Sequence, residues 1–356
     1  MILSVTTGNT ISRAAGRAMR NAWALSFGDG VEQPVPTPST VVQSGPHRTL
    51  RRYDRATPAT GNPVLLVPPL AVPVSCYDLR PGQSLARHLL DLGRATYVVD
   101  YGDITFADRR MGFEDWVDDI VPSTIRRVSE EHGGADVHVI GWSLGGTISV
   151  LTAAAHPSLP IASITAIGTP FDYHKIPSGV LARQVHRVTG DNLMNLPAAA
   201  FGGVPRHLVR FGYRATALQR EVTKPLYIAR NLTRTEALAR MESIDRFMGE
   251  MPGYPGRLYL QISSRLVVRN ELHKGVVHLT KGRAIRLADV KPRVLVIGSR
   301  TDAIAPAPAV QAATSVLTGA ESLRYVEVDG SHLGMVAGVD ACLTTWPAIT
   351  EFLRSA

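Results

Sequence analysis

The sequence predicts an α/β protein whose mostly parallel sheet is covered by helices on both faces and carries a helical cap insertion. Two observations support this prediction. Apolar strand candidates alternate with helix candidates over residues 63–170, and the alternation returns at 291–356. Between these blocks, residues 171–290 are basic and helical in pattern. An insertion between two halves of a sheet is most economically a cap over the strand ends.

Two segments precede the predicted sheet. Residues 11–25 predict a basic amphipathic helix within an N-terminal segment, 1–30, because apolar side chains share one helical face and three arginines lie largely off it. Such a helix packs on its own domain or lies on an anionic membrane or lipid inclusion, and the sequence leaves both alternatives open. The second segment, 31–62, starts as a proline-rich linker, and two short runs in 40–54 then predict an antiparallel hairpin.

The two blocks of the sheet alternate strands with helices. In the first block the strand candidates are 63–69, 95–101, 135–142 and 162–170, and the helix candidates are 84–93, 113–133 with a proline interruption, and 144–157. In the second block the strand candidates are 292–298 and 322–330, and the helix candidates are 307–319 and 338–354. Because parallel strands end at a common edge, we expect functional groups in the loops that follow them.

The composition is typical of a globular enzyme. Hydrophobic residues make up 45% and charged residues 19% of the 356 positions, and no apolar run approaches the roughly 18 to 20 residues of a membrane-spanning helix. The net charge of +8 favours anionic partners such as lipid or the phosphates of CoA. We expect no nucleic-acid partner, because the arginines are scattered and neither a zinc-finger spacing nor an RNP motif occurs.

The two cysteines, Cys76 and Cys342, are far apart and match no CxxC or metal-ligand spacing. We therefore expect buried thiols, no disulfide, no metal site and no cofactor. The N-terminus lacks the charged head, apolar run and cleavage site of a secretory signal. The sequence accordingly predicts a cytoplasmic protein, with peripheral contact with a membrane or lipid inclusion as an alternative, and it leaves the oligomeric state open.

The pentapeptide Gly141-Trp142-Ser143-Leu144-Gly145 matches the G-x-S-x-G pattern of a nucleophile elbow. The pattern alone is weak, but here it follows a buried strand candidate and opens a helix candidate, as the sharp strand-to-helix turn requires. Glycines two positions before and after the serine remove Cβ atoms that would collide with a strained backbone. The sequence therefore predicts Ser143 as a catalytic nucleophile.

A serine hydroxyl needs a base and an orienting acid, and both follow in the chain order of this fold. Asp302 comes just after the strand candidate PRVLVIG, and His332 follows SLRYVEV. We predict the catalytic triad Ser143, Asp302 and His332. Asp172, which follows another strand candidate, is an alternative acid, and the sequence also leaves open that neither aspartate serves.

Acyl transfer develops negative charge on the carbonyl oxygen, so two N–H donors must point at it. Leu144, directly after the nucleophile, supplies the first predicted donor of the oxyanion hole. The second is expected from the loop Pro68-Pro69-Leu70-Ala71. Because proline has no N–H, Leu70 is the first candidate in that loop.

Several segments together resemble the polyhydroxyalkanoate synthase family. They are VPPLAVPVSCYDLRPGQSLARHLLDLG, GWSLGG, PGRLYLQISSRLVVRNELHKG, GSRTDAIAP and GSHLGMVAG, and the resemblance covers about residues 63 to 350. The resemblance implies an α/β-hydrolase fold and places the nucleophile, acid and base at Ser143, Asp302 and His332. Two departures from that family matter: it uses cysteine as nucleophile where this chain has Ser143, and it usually has histidine where this chain has Ala303.

Serine forms an oxyester that water can attack through the same histidine, so the departure favours hydrolysis over polymer synthesis. The leading hypothesis is a lipase or esterase that cleaves medium- or long-chain acyl esters. The first alternative is acyl transfer or polyhydroxyalkanoate synthase-like chemistry from acyl-CoA. The second alternative is a non-catalytic protein on the surface of a lipid inclusion. The sequence does not fix acyl length or head group.

Overall fold

A computed structural model describes residues 5–190, 201–216, 218–280 and 282–354, and its centre is an eight-stranded sheet. The strands of this sheet, numbered in chain order, are β1 Ser39–Gln43, β2 Thr49–Tyr53, β3 Val64–Val67, β4 Thr96–Asp100, β5 Val137–Trp142, β6 Ile161–Ile167, β7 Arg293–Ser299 and β8 Leu323–Val328. The helices are α1 Val5–Phe27, α2 Leu85–Asp91, α3 Val121–Glu131, α4 Leu144–Ala155, α5 Pro177–Thr189, α6 Arg206–Thr216, α7 Leu218–Asn231, α8 Thr235–Gly249, α9 Gly256–Gln261, α10 Ala307–Gln311, α11 Ala313–Val316, α12 Gly334–Ala337 and α13 Thr345–Arg354.

The strand order brings the loops of interest to one edge of the sheet. The order is β1-β2-β4-β3-β5-β6-β7-β8. Strand β2 pairs antiparallel with β1 and with β4, and every pair from β4 through β8 is parallel. The predicted hairpin and the predicted mostly parallel sheet are confirmed. The loops that follow β3, β5, β7 and β8 therefore share the carboxyl edge, where ligands bind in such sheets.

Both faces of the central strands of the sheet are buried, as their apolar sequences require. Strand β3 shows this most simply because all four of its side chains are inaccessible to solvent. Leu65 and Val67 belong to a core cluster with side chains of α3 and α4, whereas Val64 and Leu66 belong to a second cluster with side chains of α2 and α13. The period-two alternation of a strand thus divides one apolar run between two helical layers.

A buried arginine fixes the N-terminal linker to the body of the protein. The guanidinium of Arg80 is 7% exposed and donates hydrogen bonds at 2.8 Å to Glu32 of the linker and to Glu236 of α8. Its hydrogen bonds to the carboxylates of Glu32 and Glu236 raise the pKa of Arg80. Burial of a guanidinium is costly unless it is paired, so this bidentate arrangement holds three separate stretches of chain in one place.

The chain between β6 and β7 forms helices α5 to α9 and an antiparallel hairpin, Val276–Thr280 with Arg283–Arg286. Helix patterns in residues 206–222 and 234–251 match α6, α7 and α8, with residue 217 outside the described chain. The hairpin was not predicted, although Val277 and Leu279 are buried on either side of exposed His278. The division of the chain at 171 and 290 into core and cap stays a prediction.

The predicted helix 113–133, which a proline interrupts, contains a π-helical stretch, Asp115–Ile120, followed by α3 with Pro122 in its first turn. Two other helix predictions need correction. Residues 307–319 divide into α10 and α11. The predicted last helix, 338–354, starts only at Thr345, and Pro347 lies in its first turn, where the missing N–H costs nothing.

The cysteine prediction is half right. Cys76 is buried, whereas Cys342 is exposed in the short turn Ala341–Leu343 and donates to the carbonyl of Val339. Burial raises the pKa of the Cys76 thiol. Both thiols are free.

A buried histidine in β5 makes stability depend on pH. Burial lowers the pKa of His138 to about 4, and its Nδ1 lies 2.8 Å from Ser163 Oγ. Since the folded pKa lies below the unfolded value, the unfolded state binds the proton more readily, and stability is lost as pH falls from about 6.5 towards 4. We expect this group to lower the free energy of unfolding by roughly 2 to 3 kcal/mol between pH 7 and pH 4.5.

Urea denaturation at the two pH values checks this expectation. His138→Gln should lose less stability on acidification than the wild type, and the matched control His207→Gln, on the exposed surface, should lose as much as the wild type. Equal losses for wild type and His138→Gln would contradict the assignment.

Candidate active site

The turn between β5 and α4 holds Ser143 in a strained conformation. Its backbone has φ 52° and ψ −122°, a conformation that residues other than glycine rarely adopt. Ser143 N donates to Ile167 O at 2.8 Å, and Ser143 O accepts from Gly146 N and from Thr169 Oγ1, each at 3.0 Å. The turn is therefore fixed on both sides of the serine, which is the local geometry expected of a nucleophile elbow.

Close backbone approach explains the glycines around Ser143. A Cβ at Gly141 would lie 2.5 Å from Gly146 N, and one at Gly145 would lie 2.1 Å from Val67 O. A Cβ at Gly146 would lie 2.0 Å from Thr169 Oγ1. The elbow thus needs glycine at three positions, one more than the sequence pattern indicated.

The glycine contacts give a direct prediction. Gly145→Ala should reduce the yield of folded protein or the ester-hydrolysis rate at least about tenfold, because the methyl group collides with a strand carbonyl that cannot move alone. Gly212→Ala, where a Cβ meets nothing within 4 Å, is the matched control and should behave as the wild type. Thermal unfolding and initial-rate assays of both variants check this. A Gly145→Ala variant with wild-type stability and activity would contradict the contact.

His332 and Asp302 form a buried pair in the loops after β8 and β7. Nδ1 of His332 lies 2.6 Å from Oδ2 of Asp302, whose side chain is fully buried. The other carboxylate oxygen accepts from the backbone N–H groups of Ile304 and Ala305 at 2.7 and 3.0 Å. A carboxylate held in this way fixes the ring orientation and leaves Nε2 as the nitrogen available to act as a base.

The two loops of this pair are also tied to each other. Ser299 Oγ donates to Gly330 O at 2.6 Å, and Gly330 N donates to Thr301 Oγ1 at 3.0 Å. These bonds join the end of β7 to the loop that carries the histidine. Sequence reasoning did not identify Ser299 and Thr301, although both lie in the segment that contains Asp302.

His332 is placed beside the elbow. Its ring centroid is 5.1 Å from that of Trp142, and a Cβ built on Gly168 would lie 3.2 Å from its Cε1. Gly168 follows Ile167, the residue that accepts from Ser143 N. Within the described residues no hydrogen bond joins Ser143 Oγ to the imidazole, and catalytic hydrogen bonds are often long before substrate binds.

The alternative acid, Asp172, is occupied elsewhere. Its Oδ1 accepts from Asn270 Nδ2 at 2.8 Å and from His174 N at 3.0 Å, and Lys175 lies 3.8 Å from its Oδ2. Although burial opposes the change, these hydrogen bonds and charges lower the pKa of Asp172. The carboxylate at hydrogen-bond distance from His332 is that of Asp302.

The predicted oxyanion donors lie at the ends of β5 and β3. Within the described chain, neither Leu144 N nor Leu70 N donates a hydrogen bond to another protein group. The close contact of Gly145 with Val67 O brings the start of α4 against the end of β3. That the two N–H groups bind one oxygen atom together stays a prediction.

Tyr77 joins these two segments and was missed by sequence reasoning. Its buried hydroxyl donates to Val67 O at 2.8 Å and accepts from Trp142 N at 3.0 Å. Burial raises the pKa of Tyr77, so the hydroxyl stays a neutral donor. Tyr77 is a positioning residue. The one sequence signal that could have identified it is its place in VSCYDLRP, within a segment that resembles the synthase family.

A cavity of about 660 Å³ opens beside His332. Its walls come from α7, α8 and the loops after β7 and β8, and its apolar side chains include Leu79, Trp142, Met241, Ile244, Phe247 and Met248. Its volume is that of a small-molecule or acyl-chain site. A smaller cavity of about 260 Å³ includes Leu70 and Ala71 in its wall.

No group of three or more His, Cys, Asp or Glu side chains in the described segments could hold a metal ion. None of the helices in those segments combines the length and the apolar character that crossing a bilayer requires.

The strand order, the elbow and the order of the three side chains define an α/β hydrolase. A sequence comparison agrees: the α/β-hydrolase fold family matches residues 62–338, so the chain belongs to that family.

Known relatives include poly(3-hydroxyalkanoate) polymerase subunits. The subunit PhaC of Allochromatium vinosum is 25% identical over 96% of this chain and 94% of that protein. The subunit PhaC of Haloarcula marismortui is 23% identical over 89% of this chain and 67% of that protein, and the chain spans 63% of the similar subunit of Haloferax mediterranei. The predicted resemblance to polyhydroxyalkanoate synthases is confirmed.

Solved structures share the fold. A candidate non-heme bromoperoxidase of Mycobacterium tuberculosis, BpoC, superimposes with a TM-score of 0.53 and is 16% identical over 89% of this chain and 97% of that chain. At this identity the likeness shows the fold alone.

Proposed function

We propose that this chain is a carboxylic ester hydrolase that cleaves medium- or long-chain acyl esters through an acyl-enzyme on Ser143. The observation that carries the proposal is the buried His332–Asp302 pair, held at 2.6 Å beside a serine in a strained strand-to-helix turn. A histidine in this position serves as the base for a serine nucleophile.

In the first half of the reaction, Ser143 Oγ attacks the ester carbonyl carbon and His332 Nε2 takes the hydroxyl proton. Asp302 accepts from Nδ1–H and stabilises the imidazolium. The N–H groups of Leu144 and Leu70 donate to the oxyanion. The bond to the alcohol oxygen then breaks, and Nε2 returns its proton to the leaving alcohol.

In the second half, water attacks the acyl-enzyme carbonyl and gives a proton to His332 Nε2. The bond to Ser143 Oγ breaks, Oγ regains the proton, and the carboxylic acid leaves. Oxyesters are open to this attack, so a serine in place of the cysteine of the synthase family supports hydrolysis.

The cavity of about 660 Å³ supports an acyl chain as the recognised group. Its methionine and aromatic side chains offer adaptable apolar contact, which suits a chain of variable length. We assign the acyl chain to this cavity and the alcohol to the smaller cavity beside Leu70.

Two measurements test the proposal. Stopped-flow hydrolysis of p-nitrophenyl esters from C2 to C16 should show a burst of p-nitrophenol close to one per active site, with the highest kcat/KM at medium or long chains. A fluorophosphonate probe should label Ser143 in the folded protein. No labelling of Ser143 and no hydrolysis above buffer at any chain length would reject an ester hydrolase and favour a non-catalytic protein.

Acyl transfer from an acyl-CoA to an alcohol is the second candidate. The similarity to poly(3-hydroxyalkanoate) polymerase subunits favours it, and so do three basic side chains of the large cavity, Arg220, Lys224 and Arg240. All three are partly neutralised, since Arg220 and Lys224 each lie 2.8 Å from Asp245 and Arg240 lies 3.2 Å from Glu236. We therefore rank it below hydrolysis.

Product analysis separates the two candidates. With acyl-CoA and an alcohol present, a hydrolase releases free acid in step with free CoA, whereas a transferase forms ester. Ester formation that exceeds free acid at millimolar alcohol would establish the second candidate. Free acid as the main product would support the first.

A further inference from the structure

Helix α1 presents a stripe of large apolar side chains to solvent. Met19, Trp23 and Phe27, spaced four residues apart, are 72%, 66% and 76% exposed. The rings of Trp23 and Phe27 are in contact, with centroids 4.9 Å apart. Contiguous exposed apolar side chains of this size mark an interaction surface more often than scattered ones do.

The same helix is anchored by its opposite face. Asn21 is buried, and its Nδ2 donates to Leu232 O at 2.7 Å and lies 3.1 Å from Thr235 Oγ1. At about 100° per residue, Met19 and Trp23 lie roughly 160° and 200° around the helix from Asn21. The apolar stripe therefore points away from the protein while α1 stays attached to the turn between α7 and α8.

Three arginines run along one flank of the stripe. Arg13, Arg17 and Arg20 are exposed and lie between about 260° and 320° on the same helical scale. No aspartate or glutamate occurs in α1. An apolar stripe with tryptophan beside a purely basic flank matches a helix that lies in the interface of an anionic bilayer.

Helix α7 also exposes apolar side chains. Val222 and Leu226 of α7 are 71% and 51% exposed, and α7 ends beside Leu232, where Asn21 is bonded. Lys224 and Tyr227 of the same helix line the large cavity.

We propose that α1 docks the protein on an anionic phospholipid membrane, with Met19, Trp23 and Phe27 in the interface and the three arginines against the headgroups. A second copy of this chain is a poorer occupant, because stacking two such stripes brings six arginines together without an acidic partner on α1. The proposal does not depend on the proposed function.

Tryptophan fluorescence provides a site-specific readout. The other tryptophans, Trp116, Trp142 and Trp346, are at most 5% exposed, so a change in exposed tryptophan reports Trp23. Vesicles of phosphatidylglycerol and phosphatidylcholine should shift the emission to shorter wavelength. Trp23→Phe should bind these vesicles with little loss but without the shift.

Vesicle co-sedimentation tests the two parts of the surface separately. Trp23→Ala with Phe27→Ala, and Arg17→Glu with Arg20→Glu, should each weaken binding at least tenfold. Controls elsewhere on the surface, Val41→Ser on β1 and Arg126→Glu on α3, both exposed, should bind as the wild type. Hydrolysis of a short-chain ester without vesicles should be equal in all of them, which separates failed docking from failed catalysis.

Several outcomes would overturn the proposal. If the Trp23→Ala, Phe27→Ala variant binds vesicles as tightly as the wild type, the apolar stripe does not contact the membrane. Equal binding to vesicles of pure phosphatidylcholine would show that anionic lipid is not required. The same fluorescence shift with dextran sulfate would show that any polyanion suffices. Concentration-dependent dimers without lipid that Trp23→Ala abolishes would identify a second copy as the occupant.

Discussion

Replacement of Ser143 by alanine should lower kcat/KM for a p-nitrophenyl ester by about 10⁴-fold or more, because no other group on the elbow can form the acyl-enzyme. Folding should be unchanged, since the strained turn is held by the backbone bonds of Ser143 and by the glycines around it. Initial rates and thermal unfolding measured on the same preparation check both statements.

Ser158→Ala, in the exposed turn after α4, is the matched control and should keep wild-type kinetics. Retention of more than a tenth of the wild-type kcat/KM by Ser143→Ala would show that the nucleophile is another residue. Loss of activity together with loss of the unfolding transition would instead show that the substitution damages the fold of the elbow. The burst amplitude of the remaining folded protein would then distinguish a missing nucleophile from misfolding.

The parts of the fold that were predictable are those with a local cause. A fully buried strand and a glycine-bounded elbow each have a recognisable pattern within a few neighbouring residues. The same is true of the helix that begins after Ser84, whose Oγ accepts from Arg87 N at 2.9 Å. The order of nucleophile, acid and base followed from the strands that carry them. No long-range contact was needed for any of these.

The parts that were missed depend on contacts between distant segments. The hydroxyl of Tyr77 bridges β3 and β5. Arg80 joins Glu32 to Glu236, which are far apart in the chain. No spacing in the sequence announces either pair. The orientation of α1 was open for the same reason, since its apolar pattern does not show that Asn21 attaches the opposite face to the protein.

The sequence favoured Asp302 as the acid and kept Asp172 as an alternative, because both follow parallel strands. The structure separates them by their partners. One carboxylate oxygen of Asp302 accepts hydrogen bonds from two backbone N–H groups, and the other lies at hydrogen-bond distance from His332. The carboxylate of Asp172 instead accepts from Asn270 and from the backbone N–H of His174. Hydrogen-bond satisfaction thus assigns each carboxylate a different proposed role, which mutation can test.

Asp302→Asn should lower kcat by about 10³- to 10⁴-fold, because the amide cannot accept from Nδ1–H and stabilise the imidazolium as a carboxylate does. The variant should keep the fold, since the amide oxygen can still accept from the N–H groups of Ile304 and Ala305. Single-turnover acylation measured from pH 5 to pH 9 checks the prediction, and the burst should slow while active-site labelling by the fluorophosphonate probe slows in proportion.

Asp172→Asn is the decisive comparison, because the two aspartates were the alternatives. If Asp302 orients His332, Asp172→Asn should change kcat less than about fivefold, and its cost should be in stability, through the loss of a charge-assisted hydrogen bond with Asn270. A larger fall in kcat for Asp172→Asn than for Asp302→Asn would reverse the assignment. Equal, small effects of both would mean that the imidazole is oriented without a carboxylate, and the 2.6 Å contact would then be structural.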